Sequence, residues 1–501
     1  MRIRSLTINS KAEVIVKIVR EVLTLFKVEI VGRTGEADYA QLSVVNRQSG
    51  CEPPSVMTEV FLFANDGSCE KFYFTSDGKE DEVPRAAVHR AAKRNLYHFF
   101  QTRFRVPNAP WGILYGVRPT KIVHRWLRSG MTPPAIVRRL QEDYDCSSIK
   151  AKLITEVAVR QLPVLACGEE RTVSVYIGIP FCLSRCLYCS FPSNLLPGRE
   201  KLHVFMDVLA RDLAAAAEDV RSLGLTVQSI YIGGGTPTSL PHDFFAEMLK
   251  MVYNAFYRSS VMEFTVEAGR PDSMNAEKIA AMRKCAVTRV SVNPQSMRTE
   301  TLVRIGRHHS PEDIVRMVHE IRAAFDVHIN MDVILGLPGE TAADVERTMT
   351  AVTALSPDDI TLHALALKRG SNLRLKMETE HIALPSDAET LRMSEVAVRA
   401  VEAAGYYPYY LYRQGYMSGD LENVGYARLG AESIYNIQIM EESQTIIGIG
   451  GAATTKVLGI RSGRMHAMFN AKDLVTYLRD IDIYIEKRRA LLCAEYEEET
   501  P

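Results

Sequence analysis

Three thiols crowd into one short stretch, Cys182-Leu-Ser-Arg-Cys186-Leu-Tyr-Cys189, while the other six of nine cysteines are scattered singly. An odd count arranged this way is no disulfide framework, and the crowded trio points to a metal. A CxxxCxxC spacing lets a short loop wrap one corner of an iron–sulfur cubane, each thiolate taking one iron. The missing fourth ligand is informative, because a structural zinc site closes with four protein ligands whereas a catalytic centre keeps one position open for its reactant. A zinc site completed by a distant histidine, or buried structural thiols, are the alternatives. Tyr188, just before the third cysteine, reads by itself as a packing aromatic.

Further segments carry residues of the same interest. Gly233-Gly-Gly-Thr-Pro-Thr238 removes side chains so that backbone amides approach a ligand closely. It is not a P-loop, since the lysine and the spacing are missing; a tight strand-to-helix turn is its plain alternative. A carboxylate at Glu267 suits both hydroxyls of a ribose, against an ordinary solvated or capping role. Gln295 closes another apolar run, and Arg307 follows in an IGRHH stretch, where a surface role is the default. Asp332 lies inside Ile329-Asn-Met-Asp-Val-Ile-Leu-Gly-Leu-Pro338, and a charge within an apolar strand needs a partner, which a ligand would supply.

These residues must be positioned by elements, and the elements alternate. Val173–Ile179, Val227–Gly233, Glu263–Ala268, Arg289–Val292, His328–Leu335 and Ile360–Leu367 read as strands. Between them lie stretches with helical spacing, such as His203–Leu223 and Pro311–Phe325. Such alternation predicts an α/β fold with a parallel sheet, and six units fit a partial β/α barrel; a doubly wound open sheet is the competitor. In either case ligands bind at the carboxyl ends of the strands, where the cysteines, the glycine run, Glu267 and Gln295 fall. Before this region a hairpin (Thr58–Phe63, Lys71–Thr75) and a basic helix from Pro84 to about Phe104 predict a separate small α+β domain. The basic stretch Arg85–Arg103 reads as an exposed face. After it come a helix (Asp387–Ala404), the tyrosine-rich Gly405–Tyr416 and a last helix from Ala471 to about Ala490.

The chain of 501 residues is long for one core. Its 60 basic and 60 acidic side chains cancel, so no overall field favours nucleic acid or an anionic membrane. The start, Met1 to Ser10, alternates apolar and polar residues, and no stretch is apolar enough to span a bilayer; a cytoplasmic protein is expected.

The segment YIGIPFC…CxYC resembles the radical S-adenosylmethionine (radical-SAM) superfamily and, within it, the oxygen-independent coproporphyrinogen dehydrogenase branch. GGGTPT, the glutamate after a strand, VNPQSM, IGRHH and NxDxIxGLPxxT match that branch between about Ser174 and Val457. The resemblance implies a radical-SAM enzyme with a [4Fe-4S] cluster on Cys182, Cys186 and Cys189. Its open iron would bind the amino and carboxylate groups of SAM. An electron delivered through the cluster would cleave the sulfonium, and the resulting 5′-deoxyadenosyl radical would remove a substrate hydrogen. The resemblance further implies that Tyr176, Gly234 and Glu267 contact that SAM and that Tyr188 belongs to the cofactor-binding set. Gly235, Thr236, Gln295, Arg307, Asp332 and Ala366 match positions that hold a second SAM. A tetrapyrrole substrate and a low-potential electron donor such as flavodoxin or ferredoxin come with the branch. The expected architecture is a partial (β/α)6 barrel at 166–370, an N-terminal α+β domain at 1–165 and a C-terminal α+β extension at 371–501 that covers the substrate.

Two members of the branch compete. The dehydrogenase converts two propionates of coproporphyrinogen III to vinyl groups, giving protoporphyrinogen IX; a related haem chaperone keeps the cluster but carries haem. Phe191 stands where the dehydrogenase has a fourth cysteine, which resembles the chaperone, and Gly178 replaces a histidine usual in YxHIPFC. The chaperone's HNxxYW haem motif has become Tyr435-Asn436-Ile-Gln-Ile-Met440, without the histidine. Gly405–Tyr416 and Tyr115-Gly-Val-Arg-Pro-Thr-Lys121 resemble a third subgroup, from anaerobic and spore-forming bacteria, described as coproporphyrinogen dehydrogenases. Catalysis is therefore the favoured expectation. The tyrosines read as core rather than as a porphyrin wall. Arg118, Lys121 and Arg413 are candidate partners for propionates, with a solvated surface as the alternative.

Overall fold

The computed structural model describes residues 2–9, 13–26, 28–31, 37–50, 52–105, 109–114, 116, 118–168, 170–367, 371–379, 382–413, 421–460 and 462–497. The chain forms two compact units, Met1–Thr155 and Glu156–Pro501. Tyr115, Val117 and Gln414 to Tyr416, on which part of the subgroup resemblance rests, lie outside the described residues.

In the first unit, five strands lie in the order Glu29–Ile30, Arg2–Asn9, Tyr39–Gln48, Ser55–Phe63 and Cys69–Asp77. The first three are parallel and the last two join them as antiparallel neighbours. Alternation puts Leu42, Val44, Val56, Val60 and Leu62 on one face, against Val19, Val22, Leu96, Phe99 and Phe100 of the helices Glu13–Leu25 and Pro84–Phe104. The basic stretch Arg85–Arg103 is not the simple exposed face its composition suggests. Arg90 and Lys93 are buried, paired with Glu82 (2.8 Å) and Glu21 (3.2 Å). Lone cations are not tolerated there, but each finds a carboxylate. Lys121 lies in the helix Thr120–Arg128 of this unit, and Arg118 just precedes it.

The second unit is built on an 11-stranded sheet. Its strands are β1 (Thr172–Ile179), β2 (Thr226–Gly234), β3 (Glu263–Glu267), β4 (Arg289–Ser291), β5 (His328–Leu335), β6 (Asp359–Ala364), β7 (Tyr407–Tyr412), β8 (Asn423–Ala427), β9 (Thr445–Gly450), β10 (Thr454–Leu458) and β11 (Met465–Phe469). The order is β7-β8-β6-β5-β4-β3-β2-β1-β9-β10-β11. Strands β1 to β6 are all parallel, as the alternation predicts, and β9 adds a seventh parallel strand beside β1. β7, β8, β10 and β11 close the two edges in antiparallel fashion. Residues 371–501 thus extend the same sheet. The last helix breaks at Asp480 into Leu474–Arg479 and Ile481–Tyr496. Side chains of β1 through β7 line one common cavity, so the sheet curves around it as a partial barrel.

Helices between the strands start where the sequence supplies caps. Ser310 opens Pro311–Ala324 and Thr341 opens Ala342–Ala354, each with a reciprocal capping box to Asp313 or Asp344. At the amino ends of the strands, Arg289 joins three elements through buried ion pairs to Glu263 (3.3 Å) and Asp359 (2.9 Å). Glu263 also accepts from Ser433 Oγ and from the N–H groups of Ile434 and Tyr435, at 2.9, 2.9 and 3.2 Å. It thereby fixes the N-terminus of the helix Ile434–Glu441 inside the curve of the sheet.

Candidate active site

At the carboxyl end of β1 the chain turns through Pro180 into the cysteine loop. A two-residue ladder pairs Phe181 with Asn194 and Cys182 with Leu195. The loop is tied down by Leu187 N–H to the Ile305 carbonyl (3.0 Å), and Leu373 N–H donates to the Leu187 carbonyl (2.7 Å). All three cysteines are free and half-buried, and Cys182 Sγ stands 3.6 Å from Thr236 Oγ1. Among the described residues no three His, Cys, Asp or Glu gather closely enough for a single metal ion. A cubane, with one thiolate per iron, asks the three sulfurs to stand apart.

The glycine run packs under this loop for a definite steric reason. The N–H groups of Gly235 and Thr236 donate to the carbonyls of Ile179 (2.8 Å) and Phe181 (2.7 Å). A Cβ on Gly235 would stand 2.5 Å from Phe181 O, and one on Gly233 would stand 2.9 Å from the Glu267 carboxyl. Gly234 takes a φ of +113°. Gly178, where relatives of the branch carry histidine, faces the Gly451 carbonyl, which a Cβ would approach to 2.8 Å. A side chain there requires the Gly451 backbone to shift.

Inward-facing residues of alternate strand positions form layers above the Arg289 network. Tyr231 stacks on Tyr435 (4.3 Å between ring centres) and on Tyr176 (6.0 Å). The Tyr231 hydroxyl donates to Glu267 Oε1 at 2.6 Å. Burial, with Asp332 adding like charge, pushes the Glu267 carboxyl up to about 7, despite the Tyr231 hydrogen bond that opposes the rise. Asp332 lies 3.7 Å from His363 Nε2 on β6. Gln295 sits in the left-handed region, φ +64°, held by Asp332 O (2.9 Å) and Ile334 N–H (2.9 Å) through its own backbone. It stands four residues past the end of β4, in a sparsely populated backbone conformation, and lines the cavity. Arg307 is buried and donates to the Gly269 carbonyl at 2.9 Å.

A cavity of about 640 Å³ unites these groups, within the roughly 300–1,000 Å³ of ordinary ligand sites. Tyr176, Tyr188, Gly234, Gly235, Thr236, Glu267, Gln295, Arg307, Asp332 and Ala366 all line it, with the three cysteines. Inside it, Gln295 Oε1, Asn293 Oδ1 and Arg307 Nε are buried without a hydrogen-bond partner among the described residues. Such groups call for a polar ligand, and with three thiols at one end the donor set fits a thiolate-held cluster bearing a polar molecule. Tyr188 has two roles: it packs against Leu302, Ile305 and Leu365 and also faces the cavity.

The tyrosine strand departs from a pure core reading. Tyr409 donates to Asp359 (2.9 Å), whereas Tyr410 and Tyr412, with ring planes 5° apart, line the cavity; the strand carries a register shift between Pro408 and Tyr410. Arg413 is not among the residues lining the cavity. Sequence reading missed Asn293, His363 and Arg270. Asn293 lies inside the quoted VNPQSM stretch and was legible; His363 and Arg270 carry no local signal.

The Radical SAM superfamily domain matches residues 176–352 of the chain. The "oxygen-independent coproporphyrinogen-III oxidase-like protein HemZ" of Bacillus subtilis (strain 168) is 39% identical over 398 residues, covering 78% of each chain. The chain belongs to this family of radical-SAM proteins. Members of the superfamily bind a [4Fe-4S] cluster and SAM. The "heme chaperone HemW" of Mycobacterium tuberculosis (strain CDC 1551 / Oshkosh) is 33% identical over 49% of this chain and 63% of its own. The solved structure titled "Coproporphyrinogen III oxidase (HemN) from Escherichia coli is a Radical SAM enzyme" superposes with a TM-score of 0.51 at 22% identity. It covers 65% of this chain and 72% of that one, a likeness that shows the fold. The cavity lies at the carboxyl ends of β1–β6, the end of a parallel β/α sheet where ligands bind. No described helix is long and apolar enough to cross a membrane.

Proposed function

We propose that this protein is a coproporphyrinogen III dehydrogenase, which oxidatively decarboxylates two propionates to vinyl groups and gives protoporphyrinogen IX. The observation that carries the reading is the convergence on one cavity of the thiol loop, the glycine run, Glu267, Gln295, Arg307 and Asp332, in a chain 39% identical to a coproporphyrinogen oxidase-like relative. In this reading Cys182, Cys186 and Cys189 hold the cluster, and Tyr176, Tyr188, Gly234 and Glu267 hold the SAM bound to it. Gly235, Thr236, Gln295, Arg307, Asp332 and Ala366 hold a second SAM. When bound, cluster and SAM supply a 5′-deoxyadenosyl radical that takes the substrate hydrogen, so no protein base is needed for that step. The chain's own residues bind and orient. Glu267 accepts the ribose hydroxyls, Gln295 and Arg307 complete their hydrogen bonds on the second molecule, and Tyr410 and Tyr412 offer flat apolar faces to a tetrapyrrole. Residues 371–501 therefore cover the substrate. A low-potential donor such as flavodoxin or ferredoxin supplies the electron, and the reaction belongs to the cytoplasm.

A haem-carrying role is the second reading, favoured by Phe191 and by the likeness to the heme chaperone. Against it stands Tyr435, buried in a stack with Tyr231 at the position of the haem motif, where no imidazole is present. Anaerobically reconstituted protein given SAM, reductant and coproporphyrinogen III is expected to form protoporphyrinogen IX. Cleavage of SAM without a vinyl product, together with stoichiometric haem binding in difference spectra, would replace the first reading by the second.

A further inference from the structure

The turn after β3 carries a buried cation to which the proposed function gives no role. Arg270 is 3% exposed. Its guanidinium is gripped on one edge by Asp272, Nε to Oδ1 at 3.1 Å and Nη2 to Oδ2 at 2.8 Å. The adjacent edge, which shares Nη2, reaches the cysteine loop: Nη1 donates to the Ser184 carbonyl and Nη2 to Ser184 Oγ, both at 2.8 Å. Ser184 lies midway between Cys182 and Cys186, and Nη1 also stands 3.9 Å from Cys186 Sγ. Arginine is suited to this task, since its planar fork makes both pairs of bonds at once and its charge does not titrate away.

We propose that Arg270 is a positioning residue for the iron–sulfur cluster: it fixes the Cys182–Cys186 loop through Ser184 and raises the reduction potential of the cluster by placing a buried positive charge beside the Cys186 sulfur. Reduction adds an electron to a cluster whose thiolates already carry negative charge. A fixed cation and an N–H donor at the sulfur favour the reduced state more than the oxidised one. Asp272 offsets part of that charge, so the two residues act on the potential with opposite signs. The inference rests on the reading that the three cysteines hold the cluster, which iron and sulfide content of the parent protein tests separately. It makes no use of the substrate.

The test is a redox titration of the reconstituted full-length protein, without SAM or porphyrinogen, followed by the EPR signal of the reduced cluster, with iron and sulfide counted per chain. Arg270→Gln is expected to lower the equilibrium constant for reduction about tenfold, which for a one-electron couple is about 59 mV. Arg270→Lys, which keeps the charge, should stay within about threefold of the parent while loading less iron. Asp272→Asn should move the potential upward. If Arg270→Gln fails to load a cluster, the lysine and asparagine variants decide, since only an electrostatic role separates them in this way. Equal potentials in the parent and every variant that loads, or a downward shift in Asp272→Asn, would overturn the proposal.

Discussion

Glu267 shows how the fold sets the charge state of a single side chain in the cavity. Its carboxyl is held at about 7 chiefly by burial, against the 4.5 of a free glutamate. A carboxyl raised in this way contributes stability that is fully present below about pH 4.5 and is lost as the pH climbs through 7. Ligand-free Glu267→Gln should therefore be more stable than the parent at pH 8, by about 1–3 kcal/mol, with the gap closing towards pH 5. If Glu267 accepts the two ribose hydroxyls, as proposed, the same change should weaken SAM binding at least about tenfold, because the anionic acceptor is gone. Urea titrations at both pH values and calorimetric binding at pH 8 measure the two effects. A stability difference that does not vary with pH would contradict the account. This residue was legible as a candidate from its place after an apolar run, but its raised pKa was not, because Tyr231 and Asp332 approach it from other strands.

At the scale of elements, the site depends on two junctions at opposite ends of the strands. Below it, Arg289 holds β3, β4 and β6 together and, through Glu263, the helix that presents Tyr435. Arg289→Met leaves two buried carboxylates uncompensated and should cost about 3–5 kcal/mol, read from the midpoint of urea unfolding. A loss under 1 kcal/mol would mean that water reaches those carboxylates. Above it, Gly235 lets the turn after β2 pass under the cysteine loop. Gly235→Ala places a methyl 2.5 Å from the Phe181 carbonyl, so loop or turn must shift. We expect a cost of about 1–3 kcal/mol and less iron and sulfide per chain after reconstitution; unchanged loading would show that the turn does not position the loop. Strands β1 to β6 were plain in the sequence, since buried parallel strands are continuous apolar, β-branched-rich runs, whereas β9 was not read as one of them. The register shift between Pro408 and Tyr410 was not plain, because it depends on pairing with β8.

For the molecule as a whole, the division into Met1–Thr155 and Glu156–Pro501 means that only one unit holds the cavity. The first unit has its own core, from Ile3 to Phe100. A ligand stabilises what binds it, so cluster loading and SAM should raise the unfolding temperature of the second unit and leave that of the first in place. Calorimetry of the full chain, apo and loaded, is expected to show two transitions of which only one moves. A single transition that shifts as one would count against two separately stabilised units.

What the sequence determined by itself was whatever is encoded locally: the three thiols and their spacing, the glycine run, the strand and helix rhythm, and through them the radical-SAM fold. These depend on spacing along the chain, which a linear reading sees directly. What only the tertiary structure decided was which distant residues share a surface. The Arg270 clamp on Ser184 spans 86 positions and the Tyr231–Tyr435 stack more than twice that, and no periodicity encodes such a meeting. It also decided that a side chain at position 178 would displace the Gly451 backbone, whose carbonyl lies 2.8 Å from where a Cβ would stand. The physical reason is the same throughout: the chemistry of this site lies at the ends of strands, and the curvature of the sheet, not the order of the residues, brings those ends together.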